Sequence, residues 1–295
     1  MNTTNAYYKY RPLYTSDGGG NRVPHPFTQA IFESAEIYYS LPKDFNDPYD
    51  CNLKLHADDS TDAEWHAHCD KLSAKYPNRK AQMETIKSEE RWRVKPELSK
   101  NIGDETYQKF YGKSSVFCLS KKKNSIPMFS YYADSHRGIA IEFQFSDAEI
   151  PCGIPYYSLS HRGVHYQGKI VWNDVEYPAT FPDLNYHRLY DNPQMITTLI
   201  FTKHHEWKHE EEYRIFRIGV PAKKVKFEKK LLTRVIFGCK TVAADVDLVR
   251  GWIAGWPFDV VFSKAEISPS EFNLRITDFE VVPNSRPTQS ASSSR

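Results

Sequence analysis

The chain has 295 residues, of which 40% are hydrophobic, 14% aromatic and 26% charged. That is enough to bury a core in one large domain or two small ones, and it excludes the polar, highly charged composition of a disordered chain. Its 39 basic and 37 acidic residues leave a net charge of +2, so there is no whole-protein field to gather phosphate backbones and charge gives no reason to expect nucleic acid as a partner.

No apolar run approaches the roughly 18–20 residues that span a bilayer, and the N-terminus lacks a basic-then-apolar leader. The expected setting is cytoplasmic, with no membrane partner. Five scattered cysteines, Cys51, Cys69, Cys118, Cys152 and Cys239, form no CxxC pair and suit reduced, mostly buried thiols there.

In chain order, residues 6–11 (Ala-Tyr-Tyr-Lys-Tyr-Arg) form a first strand stopped by Pro12. The following Gly18-Gly19-Gly20 lacks GxGxxG spacing and is a flexible loop, not a phosphate cradle. Residues 27–35 make a short helix and 36–41 a strand, and Phe45-Asn46-Asp47-Pro48 is a turn. Thr61 and Glu64 are spaced as a capping box. Trp65, Cys69, Leu72 and Tyr76 follow at helical spacing, and a second charged helix runs through about 80–93.

Residues 116–120 form a strand and 127–135 a short helix. From Ile139 to Phe145 apolar and other residues alternate as in a half-buried strand. One or two strands lie within 164–178, a helix runs from about 191 to 208, and 211–218 is a strand. A strand at 235–238, a helix at 246–254 and a last strand at 260–267 complete the pattern. No βαβα rhythm is present, so the fold class is α+β, on a mixed or antiparallel sheet with flanking helices. The expected organisation is one domain over 1–284 with a helical insertion at about 57–112, and a disordered tail at 285–295.

His205-Glu206-Trp207-Lys208-His209 matches H-E-x-x-H, which on an α-helix sets two histidines on one face for zinc, with Glu206 as general base. Lys208 inside the motif and the strand-like residues after it argue against that chemistry, so no metal is expected. His66 and His68 beside Cys69 are incidental.

Four ordered segments resemble a bacterial family known as domain of unknown function 2971. They are Tyr8-Lys9-Tyr10-Arg11; Phe45-Asn46-Asp47-Pro48-Tyr49; Cys118-Leu119-Ser120 followed by Met128-Phe129-Ser130-Tyr131-Tyr132-Ala133 and His136-Arg137-Gly138; and Lys203 with Trp207, Glu210 and Glu212-Tyr213-Arg214. Phe129 stands where that family often has Trp. The same layout is similar, more distantly, to ADP-ribosyltransferases: a basic first strand, a third strand ending in Ser, a helix bearing aromatics, and a late strand led by Glu-x-Glu on a split sheet.

That second resemblance implies NAD as substrate and ADP-ribosyl transfer to an unknown small or macromolecular acceptor, in a toxin or a phage-defence effector. Glu212 would face the positive charge that develops on the ribose, and Glu210, on the same strand face, would position or deprotonate the acceptor. Lys9 or Arg11 would pair with the pyrophosphate, Tyr132 would stack on nicotinamide, Ser120 would orient the ribose or the acid, and His136 would contact substrate. Plainer readings stand beside each: a solvated acidic run at 210–212 or partners there for Arg214 and Lys208, packing aromatics at 131–132, a structural turn at 46–48, a His136 that answers a helix dipole, and Trp207 as a core anchor. The alternative function is a non-catalytic sensor that binds a nucleotide or a protein partner in the same groove.

Overall fold

A computed structural model of the chain describes residues 4–88, 96–106, 108, 111–151, 159–161, 164–167, 170–190, 192 and 194–282. The expected tail at 285–295, and parts of the expected helices near 90 and 191, lie outside them. The strands are β1 (Asn5–Arg11), β2 (Tyr14–Ser16), β3 (Arg22–Pro24), β4 (Glu36–Tyr39), β5 (Ser115–Ser120), β6 (Ile139–Phe145) and β7 (Leu159–His161). They continue with β8 (Val164–Gln167), β9 (Ile170–Asp174), β10 (Glu212–Arg217), β11 (Lys223–Lys226), β12 (Leu232–Phe237), β13 (Val260–Ile267) and β14 (Leu274–Val282). The helices are α1 (Pro26–Glu33), α2 (Asp62–Lys75), α3 (Lys80–Lys87), α4 (Pro96–Thr106), α5 (Ile126–Tyr132), α6 (Tyr186–Leu189), α7 (Gln194–Phe201) and α8 (Ala243–Trp252).

Among the described residues ten strands form one mixed sheet in the order β14-β13-β12-β6-β1-β5-β10-β9-β8-β7. The β12–β13 pair is parallel, and α8 makes the crossover between them; the other pairs run antiparallel. The fold class is therefore α+β, as the sequence indicates. Among the described residues no helix is long and apolar enough to cross a membrane.

Strand β6 shows why alternation alone misleads at the centre of a wide sheet. Its Ile139, Ile141 and Phe143 pack into the main core with Phe117, Trp172 and Val235. The intervening Ala140 is buried against Tyr8, Tyr10 and Phe129 on the other face. Both faces are covered, so the strand is buried rather than half-buried. α1 and α8 cover the first face, where Phe32 stacks on Trp252 with ring centroids 5.7 Å apart. α5 covers the second, where Phe129 meets Tyr10 edge-on at 4.9 Å.

Gly18-Gly19-Gly20 is a loop, as expected, at the tip of the β2–β3 hairpin. Two elements differ from expectation. β14 follows the strand expected to be last. The helix before β10 stops at Phe201 and is followed by a separate 3-10 helix, His205–Glu210. In the helical section the Thr61–Glu64 capping box is present, and Trp65 and Cys69 are buried. Tyr76, assigned to the same stripe, is 43% exposed because it lies at the end of α2, past the contact with α6.

The sheet is nearly divided at its centre. β1 pairs with β6 from Asn5↔Phe145 to Arg11↔Ile139, yet it meets β5 only at Tyr8↔Ser120. Beyond that point Val116 on β5 exchanges both backbone hydrogen bonds with Ser40, each at 2.9 Å. β1 and β5 therefore part around a notch.

The turn after α5 braces the β1 side of this notch. Asp134, Ser135 and His136 are all left-handed, with φ of 47, 51 and 72°, a costly run for residues with a Cβ. A Cβ on Gly138 would sit 2.3 Å from the Arg11 carbonyl oxygen, and one on Gly238 would sit 2.2 Å from that of His136. Only glycine permits these approaches. Gly138→Ala or Gly238→Ala should each cost about 1–3 kcal/mol or more in a urea unfolding midpoint. Gly18→Ala, where no atom lies within 4 Å, should stay within about 0.5 kcal/mol of the parent.

Candidate functional site

The notch holds a cavity of about 130 Å³, lined by Lys9, Ser120, Tyr132, Glu210 and Glu212 among others. Five of the seven candidate residues are thus brought together from β1, β5, α5 and the segment that opens β10. Arg11 lies one step along, in a cavity of about 640 Å³ that shares Lys9, Tyr10 and Tyr132 with the first. His136 is not part of the group. It lines a separate cavity with Cys239 and Lys240, and its Nε2 is 2.9 Å from Ser130 Oγ. The left-handed turn carries it away from Tyr132.

Glu210 and Glu212 do not share a strand face, because Glu210 ends the 3-10 helix and β10 begins only at Glu212. Between them Glu211 is left-handed, with φ 40°, and its exposed carboxylate meets Lys122 at 2.9 Å. This kink aims both flanking acids at the same cation. Lys203 Nζ lies 2.7 Å from Glu210 Oε2, 3.3 Å from Asp50 Oδ2 and 3.8 Å from Glu212 Oε2. Arg214 completes the cluster: its Nε and Nη2 donate to the two oxygens of Glu212 at 3.0 and 2.8 Å. Its remaining donors reach Asp50 at 3.0 Å and the Ile200 carbonyl at 2.7 Å. The acidic run is therefore mainly not a solvated face: Arg214 is 0% exposed, Glu210 3% and Glu212 5%.

These contacts set the titration of the cluster. Burial alone would raise the Glu212 pKa, but Arg214 and Lys203 outweigh it and hold the carboxyl at about 2, below its ordinary 4.5. Burial would likewise lower Lys203, and the carboxylates of Glu212, Asp50 and Glu210 hold it above its ordinary value instead. Across the notch, burial lowers the Lys9 pKa. Lys9 Nζ donates to the Cys118 carbonyl on β5 at 2.8 Å, spanning the gap where the strands have parted.

The other candidates hold the acids in place. Ser120 Oγ donates to the Glu210 backbone carbonyl at 2.6 Å and accepts from Lys122 N at 3.0 Å, so it fixes the loop rather than meeting an open position. The Tyr132 hydroxyl donates to Glu210 Oε1 at 2.7 Å, and burial and Glu210 raise its pKa. Arg11 is held by Thr28 Oγ1 at 3.3 Å and His25 Nδ1 at 3.2 Å, and burial lowers its pKa to about 10.

Asp50 carries no role in the sequence pattern, and neither does Tyr177, whose hydroxyl accepts from Glu212 N at 2.8 Å. Asp50 lies two residues past the Asn-Asp-Pro turn, and only its distant partners mark it. Lys203 stands in the sequence only as part of the fourth segment of the family resemblance, with no role attached to it. Trp207 is half-buried rather than deep core, and the Lys203 ammonium sits 4.7 Å above its ring.

The H-E-x-x-H residues lie on the 3-10 helix. With three residues per turn, positions i and i+4 point about 120° apart rather than along one face. His205 turns to His204 Nε2 at 3.1 Å and His209 to the Glu206 carbonyl at 3.0 Å. Among the described residues no group of three or more His, Cys, Asp or Glu is placed to hold a metal ion.

The buried cluster makes a stability prediction. Arg214→Gln leaves Lys203 as the one cation against three buried acids and should cost about 3–5 kcal/mol in chemical denaturation. In the parent, the Glu212 contribution is fully present above pH 4.5 and fades as pH falls towards 2. An acid titration of the unfolding free energy should show this loss, and Arg214→Gln should weaken it.

No curated protein and no solved structure matches the chain. Residues 128–215 match the model of a family described as "Protein of unknown function (DUF2971)". The match takes in most of α5, the His136-Arg137-Gly138 turn, Lys203 and the Glu210–Arg214 segment, while β1, the Asn-Asp-Pro turn and Cys118-Leu119-Ser120 lie before it. Over those residues the chain resembles the DUF2971 family.

Proposed function

We propose that the notch between β1 and β5 is the reaction cleft of an NAD-dependent, ADP-ribosyltransferase-like enzyme. The observation that carries this reading is the convergence of Lys9, Ser120, Tyr132, Glu210 and Glu212 on one cavity at the point where the sheet parts. At about 130 Å³ the notch has room for one ring or sugar, well below the ~300–1,000 Å³ of a whole-ligand site. A dinucleotide would extend into the cavity of about 640 Å³ that Arg11 and Arg22 line, where guanidinium groups suit a pyrophosphate.

The two acids take different parts. Glu212 is fixed on both oxygens by Arg214 and positions the cluster. Glu210 is ion-paired through Oε2, while Oε1 is held by the neutral Tyr132 hydroxyl. A ribose hydroxyl can take that place by exchanging one hydrogen bond for another, a net change of about 1 kcal/mol. NAD supplies the cleavable nicotinamide–ribose bond; the chain supplies a preorganised carboxylate beside the charge that develops there. The cellular roles of toxin or phage-defence effector, and a cytoplasmic site of action, rest on the same reading.

One observation favours the second reading, a non-catalytic nucleotide or partner sensor. All four carboxylate oxygens of Glu210 and Glu212 already have partners, so binding needs less rearrangement than turnover. Incubation with NAD labelled in its ADP-ribose half, with varied acceptors, separates the two. The enzyme reading expects nicotinamide release that falls about 10²-fold or more in Glu210→Gln. Saturable NAD binding without release supports the sensor, and absence of both binding and release removes NAD from either reading. Tyr132→Phe should keep NAD affinity while Tyr132→Ala loses it several-fold, because the stacking surface rather than the hydroxyl contributes.

A further inference from the structure

A second cavity, of about 560 Å³, opens on the other side of Lys203 and Asn46, which it shares with the notch. Its walls are apolar and aromatic: Tyr49, Phe181 and Trp207 line it together with Pro48, Pro178 and Pro182. Tyr49 and Phe181 are 63% and 66% exposed, and their rings meet edge to face with centroids 6.5 Å apart. Two large aromatic side chains thus stand together at the surface beside a deep cavity.

Asp47 lines the same cavity and is 7% exposed. Its Oδ1 accepts from Tyr49 N at 2.9 Å, which forms the local turn expected of Asn-Asp-Pro. Its Oδ2 is buried and has no hydrogen-bond partner among the described residues. A buried carboxylate oxygen left without a donor is costly, and the turn needs only the other oxygen. A structural turn therefore accounts for half of this side chain.

The charges around the cavity define what would complete it. Glu206 adds a second carboxylate, 78% exposed, with His204 at 3.7 Å. The cation that lines the cavity, Lys203, is already committed to Glu210 and Asp50. A phosphate-bearing ligand would meet two carboxylates there, and no three-donor metal site exists among the described residues. Aromatic faces with a buried carboxylate suit a soft, weakly hydrated cation, which gains from both the ring quadrupoles and the charge.

We infer that this cavity is a recognition site for an organic cation, an ammonium or guanidinium group, which Asp47 pairs and Tyr49 and Phe181 enclose. The inference does not depend on chemistry in the notch.

The full chain, without NAD, is titrated by calorimetry with agmatine as the guanidinium probe, tetramethylammonium as the ammonium probe and adenosine monophosphate as an anionic control. Saturable binding of one or both cations is expected, weakened about 10-fold or more in Asp47→Asn and several-fold in Tyr49→Ala or Phe181→Ala. Asp47→Asn keeps the Oδ1 acceptor of the turn and should fold as the parent does, so a loss of cation binding in it reports on Oδ2. The agmatine and tetramethylammonium arms show which head group fits. No binding of either cation, equal binding by Asp47→Asn, or tighter binding of the anionic control would overturn the inference. If Asp47→Asn does not fold, the exposed Tyr49 and Phe181 variants decide: unchanged cation affinity in both is equally fatal to it. Loss of binding here leaves the NAD assay unaffected, so the two readings fail separately.

Discussion

The grip of Lys203 and Arg214 on Asp50, Glu210 and Glu212 is the constraint around which the centre of this protein is arranged. Three acids and two cations taken almost wholly out of water are tolerable only if each charge meets another at hydrogen-bond distance. The contacts at 2.7–3.0 Å meet that condition. The partners come from the loop after β4, the end of α7, the 3-10 helix and β10, so the cluster ties four separate stretches of chain to one point. Arg214 suits the deepest place, since its planar fork satisfies Glu212 on both oxygens and still reaches Asp50 and a backbone carbonyl.

That constraint explains why the acids look solvated in the sequence and are not. Glu210-Glu211-Glu212 resembles a charged surface run, yet its members have three different fates. Glu211 reaches solvent and Lys122, Glu210 turns to Lys203 and Tyr132, and Glu212 starts the strand beside Arg214. The left-handed backbone at Glu211 separates them, and no periodicity announces a single residue with positive φ. The same blindness hides the turn after α5, where three left-handed residues take His136 away from the aromatic face on which its neighbour Tyr132 lies.

What the sequence shows reliably is what short-range physics decides. The β1 pattern, the capping box at Thr61, the strand before Ser120 and the α+β class all follow from local alternation, capping and turn chemistry. What it hides is set by distant partners. β6 reads as half-buried because a strand of Ile, Ala, Ile, Glu and Phe alternates in volume, and only its central place in a sheet covered on both faces buries the small residues as well. The helix expected through 208 stops at Phe201 because the chain there is recruited elsewhere: the Lys203 side chain by the acids, and the backbone of Phe201 and Lys203 by that of Glu176. Asp50 is invisible for the same reason, since its two cationic partners lie some 150 residues away.

The divided sheet and the buried charges are two parts of one solution. Where β1 leaves β5, both strands lose ladder hydrogen bonds, and polar backbone without partners is not tolerated inside a protein. Side chains replace the missing bonds: Lys9 reaches the Cys118 carbonyl and the Tyr10 hydroxyl reaches that of Lys122. Ser40 takes the vacated edge at Val116. Burial in the gap lowers the Lys9 pKa, and the facing acids Glu212 and Glu210 offset that only in part. The cavity is thus held open by groups that are themselves locked, which favours a site whose shape exists before any ligand arrives. The hydroxyl of Tyr132 is the neutral link in that lattice. It lies between the rigid acids and the cavity of Arg11, so a ligand that enters the notch would displace it before it disturbs any ion pair.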